Sequence, residues 1–146
     1  MAQSKRRASA TWEGGLQDGT GSLSATGGVL TNTPFSFKTR FLSEDGSAGT
    51  NPEELLAAAH AGCFTMATGA TMGQQGIVPT HLETKSVLTM DTDTLTITAV
   101  DLTLTGTVPG IDQAKFEEIA NEAKKNCIIS RALSPDITLT LTATLV

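Results

Sequence analysis

Apolar and small residues crowd into one stretch, 50–73, TNPEELLAAAHAGCFTMATGATMG, and the rest of the pattern is read around it. Asn51 is a favourable N-cap, Pro52 suits a first helical position, and Glu54 stands three residues after the cap in the manner of a capping box. Apolar side chains fall nearly all round this helix, so the pattern predicts a central, covered element with Gly62 and Gly69 allowing close backbone approach. Elsewhere the period is two. Phe35, Phe37, Thr39 and Phe41 alternate with Ser36, Lys38 and Arg40, which predicts a strand. Leu82 to Met90 predicts another, with a turn at Asp91–Asp93 and a further strand from Leu95 to Val108. The apolar phase of that last strand switches from odd (Leu95, Ile97, Ala99) to even (Leu102, Leu104), so a β-bulge is expected near Val100–Asp101.

Pro109-Gly110 reads as a turn and Asp112 as the cap of a second helix, whose stripe is Phe116, Ile119, Ala120, Ala123 and Cys127. Cys127 falls at the inner face of its last turn or just past it. After the break at Ser134-Pro135, the apolar residues Ile137, Leu139, Leu141, Ala143 and Leu145 alternate with threonines, giving a strand with one buried face. Near the start, Trp12 anchors an early strand, and short strands are expected at Ser22–Thr26 and Val29–Leu30 between glycine turns. Those glycines match neither a phosphate loop nor a dinucleotide fingerprint. The order of elements predicts an α+β fold: antiparallel sheet with two central apolar helices packed on it.

Composition changes this picture little. A chain of 146 residues is read as a single domain, 1–146, with residues 1–9 polar and frayed, and it can bury roughly 70% of its unfolded surface. A net charge of −5 argues against nucleic acid. No run of apolar residues is long enough for a membrane span or a secretion signal, so a cytoplasmic location is expected. Two distant cysteines, Cys63 and Cys127, form neither a disulfide framework nor a metal ligand set, and no metal or cofactor is implied. They are either two unrelated buried thiols or a transient redox pair.

A thiol-exchange or peroxide-reducing site needs a thiolate, and an unperturbed cysteine is only about 3% ionised at pH 7. Burial in an alanine-rich helix works against ionisation, so a cation must be delivered by a side chain. His60, three residues before Cys63, would make a Cys–His dyad for hydrolysis, but no Asn or Asp is placed to orient it and helix packing is the plainer reading. His81 opens a strand and is expected to face solvent.

The segment NPEELLAAAHAGCF, preceded by PFSFKTRF and followed by VPGID and KKNCIISRAL, resembles the osmotically inducible protein C (OsmC) family, sister to the organic hydroperoxide resistance proteins. The resemblance runs from Trp12-Glu-Gly to the last threonine-rich strand, and KTRF and AAHA favour the OsmC branch. It implies a cysteine peroxidase for organic hydroperoxides and, more weakly, hydrogen peroxide. Cys63 would be the peroxidatic nucleophile and Cys127 the resolving cysteine that closes a disulfide. Arg40 would hold the thiolate and polarise the peroxide, and Glu53 would orient that arginine. The reductant implied is a dithiol, such as a lipoyl group on a carrier protein, rather than glutathione. Glu53 and Cys63 are ten residues apart, about 15 Å along a helix and about 80° around it. If both serve one site, a third residue bridges them or Glu53 comes from a second subunit. An Ala/Gly-rich helix suits a subunit contact, and the family is known for an intertwined homodimer with composite sites. The rival readings are a non-catalytic binder of hydrophobic ligands and a Cys–His hydrolase built on His60.

Overall fold

A computed structural model describes residues 2–146, in two compact units, the first ending at Leu55 and the second comprising Leu56–Val146. In the first unit β1 (Ala8–Glu13), β2 (Thr20–Ala25) and β3 (Thr33–Ser36) form an antiparallel sheet in that order. The strand β1 starts within the segment expected to be frayed. Trp12 is on β1 as expected and packs on Phe35, with ring centroids 5.6 Å apart.

Two expectations fail in this unit. Val29–Leu30 is no strand: it lies in the turn region between β2 and β3, entered through Gly28 at φ +83, with Val29 exposed. The alternating run of phenylalanines is a strand only as far as Ser36, and Phe37–Phe41 is a short helix, α1. The reason is a capping box. The Thr39 backbone N–H donates to Ser36 Oγ at 3.2 Å, and the Ser36 N–H donates to Thr39 Oγ1 at 2.9 Å. With the chain coiled, Phe37 and Phe41 become neighbours one turn apart, their centroids 5.0 Å from each other.

The long helix α2 (Pro52–Gln74) begins in the first unit and runs through the second. Its start is as read: the Glu54 N–H donates to Asn51 Oδ1 at 2.8 Å, while the Glu54 carboxylate accepts from Thr50 Oγ1 rather than closing the box. It ends where Gly76, at φ +71, lets the Ile77 N–H reach the Met72 carbonyl, a left-handed C-cap that favours glycine. Full coverage was expected, but one chain buries one face only: His60, Phe64, Thr68, Thr71 and Met72 are buried, whereas Ala58, Gly62, Met66, Ala70 and Gly73 are exposed.

The strands β4 (His81–Asp91), β5 (Thr96–Thr107) and β6 (Thr138–Leu145) make the second sheet. β4 and β5 form the hairpin, turned by Asp91, whose Oδ1 accepts from the Asp93 and Thr94 N–H groups. The register shift sits where Thr89 faces Ala99 and Met90 faces Ile97, leaving Thr98 as the extra residue. The bulge is therefore slightly earlier than the apolar phase change suggested. β6 pairs with β5 in parallel, so the sheet is mixed rather than antiparallel throughout. A parallel return needs a crossover, and α3 (Gln113–Asn126) followed by α4 (Ile128–Ala132) supplies it.

Asp112 caps α3 by accepting from the Lys115 N–H at 2.8 Å. Its predicted stripe, Phe116, Ile119, Ala120, Ala123 and the following Cys127, is buried throughout, in one core with Phe64 and Met72 of α2 and Val100, Leu102 and Leu104 of β5. Gly106 has to be glycine here: a Cβ would stand 2.6 Å from Cζ of Phe116.

Candidate active site

Four residues carry the expected chemistry, and the structure places two in each unit. Arg40 sits on α1 and Glu53 in the first turn of α2. Arg40 Nη2 donates to Glu53 Oε1 at 2.6 Å, and Nε donates to Oε1 and Oε2 at 3.2 Å each. This is fork-to-carboxylate recognition, with Arg40 38% exposed and Glu53 15% exposed. The guanidinium carbon also stands 4.9 Å over the Phe41 ring. Beside it is an open pocket of about 240 Å³ whose walls include Trp12, Leu16, Phe35 and Phe37. The arginine is thus oriented by a carboxylate and an aromatic face. That orientation depends on α1 being helical, which the alternating pattern of phenylalanines did not reveal.

In the second unit both cysteines are free thiols. Cys63, partly buried on α2, lines a groove of about 600 Å³ with Met66, Ala67, Ala70 and Ile128 as its carbon-rich wall. Cys127 is fully buried at the joint between α3 and α4, its backbone N–H donating to the Ala123 carbonyl and its carbonyl accepting from the Arg131 N–H. Asn126 and Ile128, on either side of it, both line the groove that holds Cys63. So one thiol faces a space a small apolar molecule can enter, and the other is packed behind the same wall. Cys127 closes α3 as read from sequence, but it also begins α4, so it is not simply at the negative end of one dipole.

His60 is 1% exposed, and its Nε2 makes a 2.7 Å hydrogen bond with Ser130 Oγ on α4. The distance would suit a serine nucleophile and its base, but the imidazole is closed off from solvent and its ring nitrogen is committed to Ser130. Nothing in the sequence signalled this partner, 70 positions away. His81 is exposed, as expected.

Burial pushes His60 below the ordinary histidine value of 6.5. The unfolded chain then takes up the proton first, so as pH falls through 6.5 the folded state loses stability until the imidazole charges in place. Urea unfolding at pH 7.5 and 5.5 should show this loss in the wild type, and a flatter pH dependence in His60→Asn. Equal slopes would remove His60 as the source.

The site is thus a mixed α+β scaffold carrying two free thiols, one lining an open groove and one buried. The family is settled by comparison: residues 44–142 match the model of the OsmC-like proteins, and the chain belongs to that family. It is 41% identical over 136 residues to the peroxiredoxin OsmC of Escherichia coli (strain K12), covering 92% of this chain and 93% of the relative. It is 33% identical over 104 residues to an organic hydroperoxide resistance protein of Xanthomonas axonopodis pv. citri, covering 70% and 72% of the two chains. Its fold is that of the crystallised organic hydroperoxide resistance protein from Elizabethkingia anophelis, with a TM-score of 0.76, 20% identity and 99% of each chain covered. Among the described residues, no helix is long and apolar enough to cross a membrane.

Proposed function

We propose that this protein is a cysteine peroxidase that reduces organic hydroperoxides, and hydrogen peroxide more weakly. The observation that carries the reading is the placement of the two thiols: Cys63 in an apolar groove and Cys127 behind the same wall. The names of its relatives, a peroxiredoxin and an organic hydroperoxide resistance protein, point the same way. The Cys63 thiolate attacks the distal peroxide oxygen, the O–O bond breaks, and the alkoxide leaves as alcohol after taking a proton. Cys63 is left as a sulfenic acid. Cys127 then attacks that sulfur, a disulfide forms, and the hydroxyl departs with a proton as water. A dithiol reductant, such as a lipoyl group on a carrier protein, exchanges with the disulfide and returns both thiols.

Arg40 supplies the cation that holds the thiolate and polarises the peroxide, and Glu53 holds Arg40 in place. Glu53 stands ten residues before Cys63 on α2, about 15 Å of rise, and its hydrogen-bonded partner is Arg40. The exposed stripe of Gly62, Met66, Ala70 and Gly73 supports an intertwined homodimer with composite sites, since no Cβ at Gly62 or Gly73 would meet another atom within 4 Å in a single chain. The cytoplasm, kept reducing, suits a pair that cycles.

The test is consumption of cumene hydroperoxide by reduced protein, with dithiothreitol or glutathione as reductant and hydrogen peroxide in parallel. Faster turnover of the organic peroxide, sustained by the dithiol and poorly by glutathione, is expected. No turnover by fully reduced protein would overturn the reading in favour of a hydrophobic ligand binder on the same scaffold.

A further inference from the structure

We propose that the His60–Ser130 hydrogen bond is a latch holding Cys127 within reach of Cys63, so that both residues position the disulfide-forming step. The roles of the two cysteines rest on the peroxidase reading above, whereas the latch itself rests on geometry.

His60 precedes Cys63 by three residues on α2, and Ser130 follows Cys127 by three residues on α4, so the bond ties together the helical turns that carry the two sulfurs. Only five residues long, α4 is below the length at which a helix holds itself, and its placement depends on tertiary anchors. Within α4 the one local tie to Cys127 is the Arg131 N–H to its carbonyl, 3.0 Å, which fixes the turn but not where the turn rests. Ile129 and Leu133 pack on the core without directional preference, and the contact to α2 adds a directional polar restraint beside them. It is sheltered, because His60 is 1% exposed, and a buried ring nitrogen left without its partner is costly.

The restraint matters because disulfide geometry is narrow, with Cα atoms roughly 4.4–6.8 Å apart. Cys127 is the residue from which α4 starts, so a swing of that first turn by an ångström or two displaces its sulfur by an amount this geometry does not tolerate. In chemical terms the latch raises the effective concentration of one thiol at the other. When Cys63 has been oxidised by the hydroperoxide to sulfenic acid, Cys127 attacks its sulfur, the S–O bond breaks, water leaves and the S–S bond forms. No further oxidant enters the step. If Cys127 is late, a second hydroperoxide takes the sulfenic acid on to sulfinic acid and is itself reduced to alcohol.

Ser130 is only partly buried, so Ser130→Ala and Ser130→Thr in the full chain are suitable variants. The disulfide fraction is titrated in dithiothreitol redox buffers by alkylation and intact mass. Ser130→Ala should shift the Cys63–Cys127 equilibrium toward the dithiol by about tenfold, roughly 30 mV for a two-electron couple. Ser130→Thr, which keeps the hydroxyl, should stay within about twofold of wild type. Under repeated cumene hydroperoxide additions, Ser130→Ala should gather about tenfold more Cys63 sulfinic acid per turnover, with the first oxidation of Cys63 unchanged in rate. An unaltered equilibrium in Ser130→Ala, an equal shift in Ser130→Thr, or no Cys63–Cys127 disulfide in the wild type would each overturn the latch. Failure of the wild type to consume hydroperoxide, with the shift in Ser130→Ala intact, would instead overturn the peroxidase reading and leave the latch standing.

Discussion

Cys63→Ser should consume cumene hydroperoxide at least about a thousandfold more slowly than wild type, a barrier increase of roughly 4 kcal/mol or more. Serine is the nearest isostere, and position 63 is partly buried at the wall of a groove, so fold and groove should survive. What disappears is the one thiol lining that groove; the Met66 thioether beside it forms no thiolate and, once oxidised to sulfoxide, is not returned by a dithiol exchange. The hydroxyl of serine is neither ionised near neutral pH nor oxidisable in this way. Cys127→Ser separates the steps. It should react once with hydroperoxide and then stall as sulfenic acid, which a dimedone adduct on Cys63 would report by mass. If Cys63→Ser keeps appreciable turnover, or if the adduct forms on Cys127, the assignment of roles is wrong.

The second large effect is expected at Arg40. Arg40→Lys preserves the positive charge, so a simple electrostatic role predicts a modest loss. Yet Arg40 meets Glu53 through two nitrogens and lies over Phe41, and an ammonium on a flexible stem can reproduce neither the fork nor the stacked plane. We expect kcat/KM for cumene hydroperoxide to fall by about a hundredfold, the scale seen when one preorganised donor is removed from a reacting centre. Iodoacetamide alkylation of Cys63 at pH 7 should slow in parallel, because both reactions draw on the same thiolate. Glu53→Gln should show a smaller loss of the same kind, since the neutral amide still accepts hydrogen bonds but holds the guanidinium less firmly. Wild-type alkylation in Arg40→Lys would remove Arg40 from the thiolate's surroundings and leave it a structural partner of Glu53.

The chain displays its helices more openly than its sheets. Asn51-Pro52 and Asp112 mark both long helices correctly, because a cap is a local hydrogen bond and its residues are adjacent in sequence. The stripe from Phe116 to Cys127 is legible for the same reason: one helix buries one face. Phe37–Phe41 misleads because period-two spacing over five residues also contains an i,i+4 pair, and the Ser36–Thr39 box decides between them. The direction of β6 cannot be read from its alternation at all, since a half-buried strand has the same pattern whichever way its neighbour runs. At the site, Cys63 and Cys127 stand out by scarcity, whereas Arg40 and Glu53 came from the family's motif and not from pattern. Ser130 had no signal. Its role depends on a contact across 70 positions that nothing in its neighbours announces.

The parallel pairing of β5 with β6 also governs the order in which the second unit can be assembled. The β4–β5 hairpin closes over a few residues, a microsecond event, and can form early. β6 cannot reach its place beside β5 until α3 and α4 have brought the chain back across the sheet, so this non-local closure is expected to be the late step. Until then the inward residues of β6, Leu139, Leu141 and Leu145, are unburied, and the core that finally encloses Cys127 is open on that side. A thiol inaccessible in the finished protein is therefore accessible to every passing disulfide while the chain is still folding. The residue that the proposed cycle reserves for Cys63 is thus, during folding, open to exchange with any disulfide in its surroundings.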